Sequence, residues 1–233
     1  MMAMFPEVDS SIKQFRSPFG ALCFGPTGSG KTQFIVKLLR NANEMFTRVP
    51  TRIVFAYTEW QSAYDLIIKD TPSVQFVRNI NDILENDHFF SAKVSNLLIL
   101  DDLASTIAKS ERASNLFTRG IHHKNVDVIH ICQNIFQQGK SMRNLHLNSS
   151  YLILFKNARD VHQITILAKQ TGRPDLTEAY LKVTSEPFQP LILDMKSDSP
   201  DYLRIKSHVF PEETTRIYAN PNIISVPQEC LRN

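Results

Sequence analysis

The feature that most constrains this chain is an octet, Gly25-Pro26-Thr27-Gly28-Ser29-Gly30-Lys31-Thr32, lying between two patterned stretches. It fits the pattern GxxxxGK[ST] without deviation. Before it, residues 19–24 form a short apolar run that stops at glycine, as a buried strand does. After it, Phe34, Ile35, Leu38 and Leu39 recur at helical spacing, with Lys37 and Arg40 off that face. Strand, glycine turn and helix, in that order, make a phosphate cradle. The glycines let the backbone turn tightly, so that successive N–H groups and the helix N-terminus point at phosphate oxygens. Lys31 supplies a cation for the β- and γ-phosphates, and the Thr32 hydroxyl a ligand for Mg²⁺; ATP with Mg²⁺ is the expected cofactor. A plain glycine-rich turn is the alternative, and it accounts for neither flank.

A phosphate cradle needs a second metal holder. Leu97-Leu98-Ile99-Leu100-Asp101-Asp102 offers one: a fully apolar strand closed by two carboxylates, which a parallel neighbour would deliver beside Thr32. Asp101 is expected to hold Mg²⁺ through water. Asp102 is assigned as the base that polarises the attacking water, with capping of the following helix as the other reading. The strand at 128–132 ends in Gln133-Asn134. An amide there can sense the γ-phosphate or orient water, and Gln133 is chosen because it comes first after the apolar run; a plain turn residue is the alternative.

The strand candidates at 19–24, 52–56, 74–77, 96–100, 126–132 and 151–155 alternate with helical patterns at 31–45, 60–69, 80–85, 105–118 and 160–171. Such alternation implies an α/β fold, a mostly parallel sheet with helices on both faces. Beyond Arg173 a helix at 175–183 and strands at 190–194 and 202–209 suggest a sheet edge. The domain is therefore placed at 15–210, between an N-terminal tail, 1–14, and an extended C-terminal tail, 211–233.

With 42% hydrophobic and 21% charged residues, the 233-residue chain suits a globular domain rather than a disordered one. A formal charge of +3 does not by itself call for a polyanion. Locally, however, Arg119, Lys124, Lys140, Arg143, Lys156 and Arg159 face one acid, Asp127, which reads either as a solvated face or as a surface for nucleic-acid phosphates. Cys23, Cys132 and Cys230 form no CxxC pair; the first two sit in apolar runs and read as buried small hydrophobes. His122-His123 lacks partners at ligand spacing and reads as surface or DNA-facing. Neither a secretory start nor a segment of bilayer-spanning length is seen, so the expected setting has no membrane and is intracellular, in cytoplasm or nucleus. ATPases that work as rings complete the site with a neighbour's arginine. Arg119, between the carboxylate strand and the Gln133 strand, is the first candidate, with Arg143 and Arg159 behind it.

Together GPTGSGKT, LLILDD, FTRGIHHKN, ICQNIF with QQGK, and LHLNSSYLILFKNARD resemble the packaging ATPases of the FtsK–HerA superfamily. The look is closest to those of Polinton/Maverick elements and adintoviruses, with relatives in poxviruses and other large DNA viruses. The resemblance spans roughly residues 19–210. It implies a RecA-like P-loop NTPase core in a homo-oligomeric ring that pumps double-stranded DNA into a preformed capsid, with a capsid or portal protein as partner. Lys31, Thr32, Asp101, Asp102 and Gln133 fall on matching motif positions. Ala158 stands where relatives are expected to carry proline, a departure that bears on the turn before Asp160 and not on the nucleotide site. A P-loop kinase, which would need an arginine-rich lid, and a non-catalytic nucleotide switch are the other readings.

Overall fold

A computed structural model of the chain describes residues 3–5, 10–86, 88–116, 121–136 and 140–220. In chain order the strands are β1 (Ala3–Phe5), β2 (Gly20–Phe24), β3 (Arg52–Tyr57), β4 (Val74–Val77), β5 (Asn96–Asp101), β6 (Val126–Cys132), β7 (Tyr151–Leu154), β8 (Leu191–Asp194), β9 (Ile205–Ser207) and β10 (Arg216–Ala219). The helices are α1 (Lys31–Arg40), α2 (Ala42–Met45), α3 (Ala63–Asp70), α4 (Asn81–Leu84), α5 (Ala104–Ala108), α6 (Glu111–Asn115), α7 (Ile121–His123), α8 (Lys140–Leu147), α9 (His162–Gln170) and α10 (Leu176–Val183).

All ten strands form one sheet in the order β1-β10-β9-β8-β7-β2-β6-β5-β3-β4. From β7 to β4 every ladder is parallel; from β7 outward to β1 every ladder is antiparallel. The parallel strands alternate their side chains between two apolar layers. Ala21 and Cys23 of β2 face the layer built with Phe34, Ile35 and Leu38 of α1 and Tyr64 and Ile67 of α3. Leu22 and Phe24 face the opposite layer, with Met142 and Leu145 of α8, Ile164 and Leu167 of α9, and Ala179 and Tyr180 of α10. Burial on both faces is why these strands read as unbroken apolar runs. Cys23 and Cys132 are buried as expected, and burial raises both thiol pKa values.

The structure corrects the sequence reading in three places. The helix expected over 31–45 stops at Arg40, because Asn41 leaves helical geometry and its side-chain amide donates to the Lys37 carbonyl. The helix expected over 105–118, whose last two residues lie outside the described residues, is otherwise two short helices, with Ser110 between them capping α6 by accepting from the Ala113 N–H at 3.2 Å. The tails expected at 1–14 and 211–233 both give a strand to the sheet. β1 pairs antiparallel with β10, where Ile217 and Ala219 are fully buried. Their segments, AMF and RIYA, lack the longer apolar runs that mark β5 and β6. No helix among the described residues is long and apolar enough to cross a membrane.

Candidate active site

Parallel strands put their C-terminal ends on one edge, and a chain that leaves a central strand in both directions opens a crevice there. β2 is that strand, with β6 on one side and β7 on the other. The octet leaves it pinned to both neighbours: the Gly25 N–H donates to the Cys132 carbonyl at 3.2 Å, and the Phe155 N–H donates to the Phe24 carbonyl at 2.8 Å. Two glycines do the turning. Gly28 and Gly30 have φ of 79° and 104°, values that a side chain disfavours, and Gly30 is the N-cap of α1. Gly25 is needed for a different reason: a Cβ there would lie 2.6 Å from Ser29 Oγ and 2.7 Å from Phe155 Cβ. Nothing lies within 4 Å of the space a Cβ would take at Gly28, so the loop is open on that side.

Lys31 Nζ donates to the carbonyls of Gly25 at 2.7 Å and Pro26 at 2.8 Å, holding its charge over the loop. Burial lowers the lysine's pKa, and the carboxylates of Asp101 and Asp102 work against that. The cleft in front of the loop, about 490 Å³, is lined by Lys31, Thr32, Asp101, Asp102, Gln133 and Gln61 among others. Five residues singled out from the sequence thus meet on one surface. They arrive from three places: the P-loop, the tip of β5 and the tip of β6.

Asp101 is buried at the end of β5, and its carboxylate oxygen accepts from the Tyr64 hydroxyl at 2.7 Å and from Gln61 Nε2 at 3.4 Å. Burial raises its pKa, while the Tyr64 hydrogen bond and Lys31 favour the ionised form. Asp102 is exposed and sits at φ 56°, a left-handed conformation that Asp tolerates better than most residues. The capping alternative is not what the backbone shows: Leu103 is the N-cap of α5, and no side chain makes that cap. Asn134 closes an Asx turn by accepting from the Phe136 N–H at 2.9 Å, which leaves Gln133 as the amide that lines the cleft. Arg119 lies outside the described residues. Of the arginines held behind it, Arg143 and Arg159 are both exposed, and Arg159 lines a second hollow behind the loop.

The donor set suits a nucleoside triphosphate with Mg²⁺. The turned loop and the N-terminus of α1 offer N–H groups, Lys31 a cation, Thr32 a hydroxyl, and Asp101 a carboxylate that Tyr64 holds still. Tyr64 and Gln61 were not legible in the sequence. Tyr64 reads there as one more aromatic on a helix, and only the placing of α3 beside β5 brings its hydroxyl to Asp101.

No family model matches the chain, and no curated protein matches it in sequence. Solved structures do match in fold. The genome packaging NTPase B204 from Sulfolobus turreted icosahedral virus 2, in complex with ATPγS, superposes with a TM-score of 0.54 at 15% identity, over 82% of this chain and 97% of that one. B204 described as the DNA-packaging ATPase of Sulfolobus turreted icosahedral virus gives 0.52 at 16% identity, over 83% and 98%. The cytoplasmic domain of the type VII secretion ATPase EccC of Thermomonospora curvata gives 0.54 at 14% identity, over 91% of this chain and 26% of that one. The chain has the α/β fold of these P-loop ATPases, a mostly parallel RecA-like sheet with helices on both faces.

Proposed function

We propose that this chain is an ATP-driven double-stranded-DNA translocase that packages a viral or virus-like genome into a capsid. The observation that carries the reading is the meeting of Lys31, Thr32, Asp101, Asp102 and Gln133 on one cleft. In it Lys31 and the loop N–H groups bind the triphosphate, Thr32 and Asp101 hold Mg²⁺, Asp102 takes the proton of the attacking water, and Gln133 orients that water or senses the γ-phosphate. The packaging role is supported by the sequence resemblance and by the shared fold with B204. The DNA path is assigned to the basic stretch that holds Lys124, Lys140 and Arg143. The working unit is a homo-oligomeric ring in the host cytoplasm or nucleus, loading a capsid through a capsid or portal protein. Arg119 of one copy reaches the cleft of the next, where a cation can raise turnover by orders of magnitude.

ATP hydrolysis measured with and without double-stranded DNA tests the reading. DNA should stimulate turnover, and the stimulation should fall steeply with salt, because binding through phosphates releases counterions. Neutralising Lys124, Lys140 and Arg143 together should weaken DNA binding and spare the DNA-free rate. Mixing Arg119→Ala with Lys31→Ala subunits should restore part of the lost activity if the arginine acts in trans. Turnover indifferent to DNA at every salt concentration would remove the translocase assignment and leave an ATPase.

A further inference from the structure

Behind the P-loop, on the side away from Asp101, lies a second hollow of about 660 Å³. Its floor is the outer side of the loop at Pro26 and Thr27, and one wall is the turn after β7 with Lys156 and Arg159. The other wall is the segment between α10 and β8, where Phe188 stands between the hollow and the phosphate cleft and lines both.

Phe188 is expensive twice over. It leaves 71% of its surface exposed, and its φ is 60°, a conformation that a bulky side chain rarely adopts. It also stands over the P-loop where Gly30 has no side chain: a Cβ added there would lie 3.3 Å from the Cβ of Phe188. The segment is tied down on either side of the ring. The Glu186 carboxylate pairs with Arg216 at 2.6 Å and lies 3.0 Å from His208 Nε2, from which it accepts when that nitrogen carries the proton, and the Gln189 N–H donates to the Glu186 carbonyl at 3.4 Å. The facing turn is braced as well. Tyr180 donates its hydroxyl to the Phe155 carbonyl at 2.9 Å and accepts from the Asn157 N–H at 2.7 Å, and Asn157 in turn accepts from the Arg159 N–H at 3.2 Å. Two fixed walls and an exposed aromatic ring are what a flat, aromatic ligand needs.

The direction of the nucleotide decides which ligand. A terminal phosphate held near Thr32 and Asp101 would sit on the β5 side of the loop, so the opposite end of the nucleotide would leave toward β7, where the hollow lies. We infer that this hollow takes the nucleoside end of the bound nucleotide, with the Phe188 ring stacked on the base and the planar guanidinium of Arg159 available to its other side. The inference rests on the phosphate-site reading above and adds the base-recognition surface to it.

Titration calorimetry with Mg²⁺ separates the two. The ligands are a β,γ-imido ATP analogue, which carries the base, and inorganic tripolyphosphate, which does not. Phe188→Ala should weaken the analogue by about tenfold or more, the range of one base–aromatic stack, and leave tripolyphosphate unchanged. Phe188→Trp should keep the analogue at wild-type affinity. If Phe188→Ala binds both ligands as the wild type does, the ring does not touch the base. If it weakens both equally, Phe188 only props the turn at Gly30, and the inference fails while the phosphate site stands. A wild-type protein that binds neither ligand removes the phosphate site and this inference together.

Discussion

The two halves of the sheet are buried by different means. In β2, β3 and β7 the interior is apolar: Leu22, Phe24, Val54, Phe55, Leu152 and Leu154 are at most 3% exposed. Around β8 and β9 the interior carries charge. Lys206, 4% exposed, donates to the Ile12 carbonyl at 2.7 Å and lies 3.8 Å from Asp194, and burial pulls its pKa down to about 8. Beside them Arg173 and Asp175 form a buried two-pronged pair at 2.9 and 2.8 Å, with Arg173 also donating to the Asp201 carbonyl. Apolar burial is non-directional and forgives small losses, whereas a buried ion depends on its partner. The parallel half can therefore hand its strand tips to chemistry, while the antiparallel half holds the flank of the site in place through specific pairs.

That contrast is open to being broken by substitution, and the largest effect belongs to the strand tips. Lys31→Ala should lower ATP affinity by roughly a thousandfold or more, because the triphosphate loses a cation in a partly desolvated cleft, and leave the melting temperature of the free protein nearly unchanged. The reverse is expected in the other half. Arg173→Met leaves Asp175 buried without its partner and should cost about 3–5 kcal/mol by chemical denaturation, with nucleotide affinity retained below the transition. A loss of affinity that matched the loss of stability would show that the two halves are not separable.

The parallel half holds buried polar groups too: Asp127 of β6 accepts from the Ser17 hydroxyl and the Phe19 N–H, but His130 in the same strand has no such support. It lies fully buried in the middle of β6, opposite Leu22 and Leu100, and among the described residues neither ring nitrogen has a hydrogen-bond partner. Burial lowers its pKa from 6.5 to about 4. The unfolded chain thus binds a proton more readily, and the stability held above pH 6.5 is lost as pH falls through 4, on the order of 3 kcal/mol in all. His130→Leu should remove this part of the acid limb and raise stability at pH 4 more than at pH 7. Equal curves for wild type and variant across that window would show that His130 is not buried in the neutral form. The smallest effect is expected at Tyr64. Tyr64→Phe deletes the hydroxyl that holds Asp101 and should weaken Mg²⁺ dependence of ATP binding about tenfold, with metal-free nucleotide binding unaltered.

Much of the parallel half was legible because burial on two faces leaves a plain signal. Residues 96–100 and 126–132 contain few polar side chains, and their ends are marked by Asp101 and Gln133, the residues that reach the cleft. The antiparallel half hid itself. Lys206 and Asp194 look like surface residues in the sequence, and only the packing of β8, β9 and residue 12 makes them interior. The cleft divides in the same way. Motif residues declare themselves by spacing, but Tyr64, Gln61 and Phe188 matter through tertiary neighbours that no local pattern records.

The most direct test of the central claim separates binding from turnover at Asp102. Asp102→Asn keeps the size of the side chain and the left-handed position that Asn also tolerates, yet an amide cannot take a proton from water. ATP affinity and single-turnover hydrolysis should be measured on the wild type and on this variant under the same Mg²⁺ and DNA conditions. The expected result is affinity within a few-fold of wild type and hydrolysis slowed by a hundredfold or more, on the order of what a positioned general base supplies. Hydrolysis by Asp102→Asn at the wild-type rate would contradict the assignment of this cleft's chemistry.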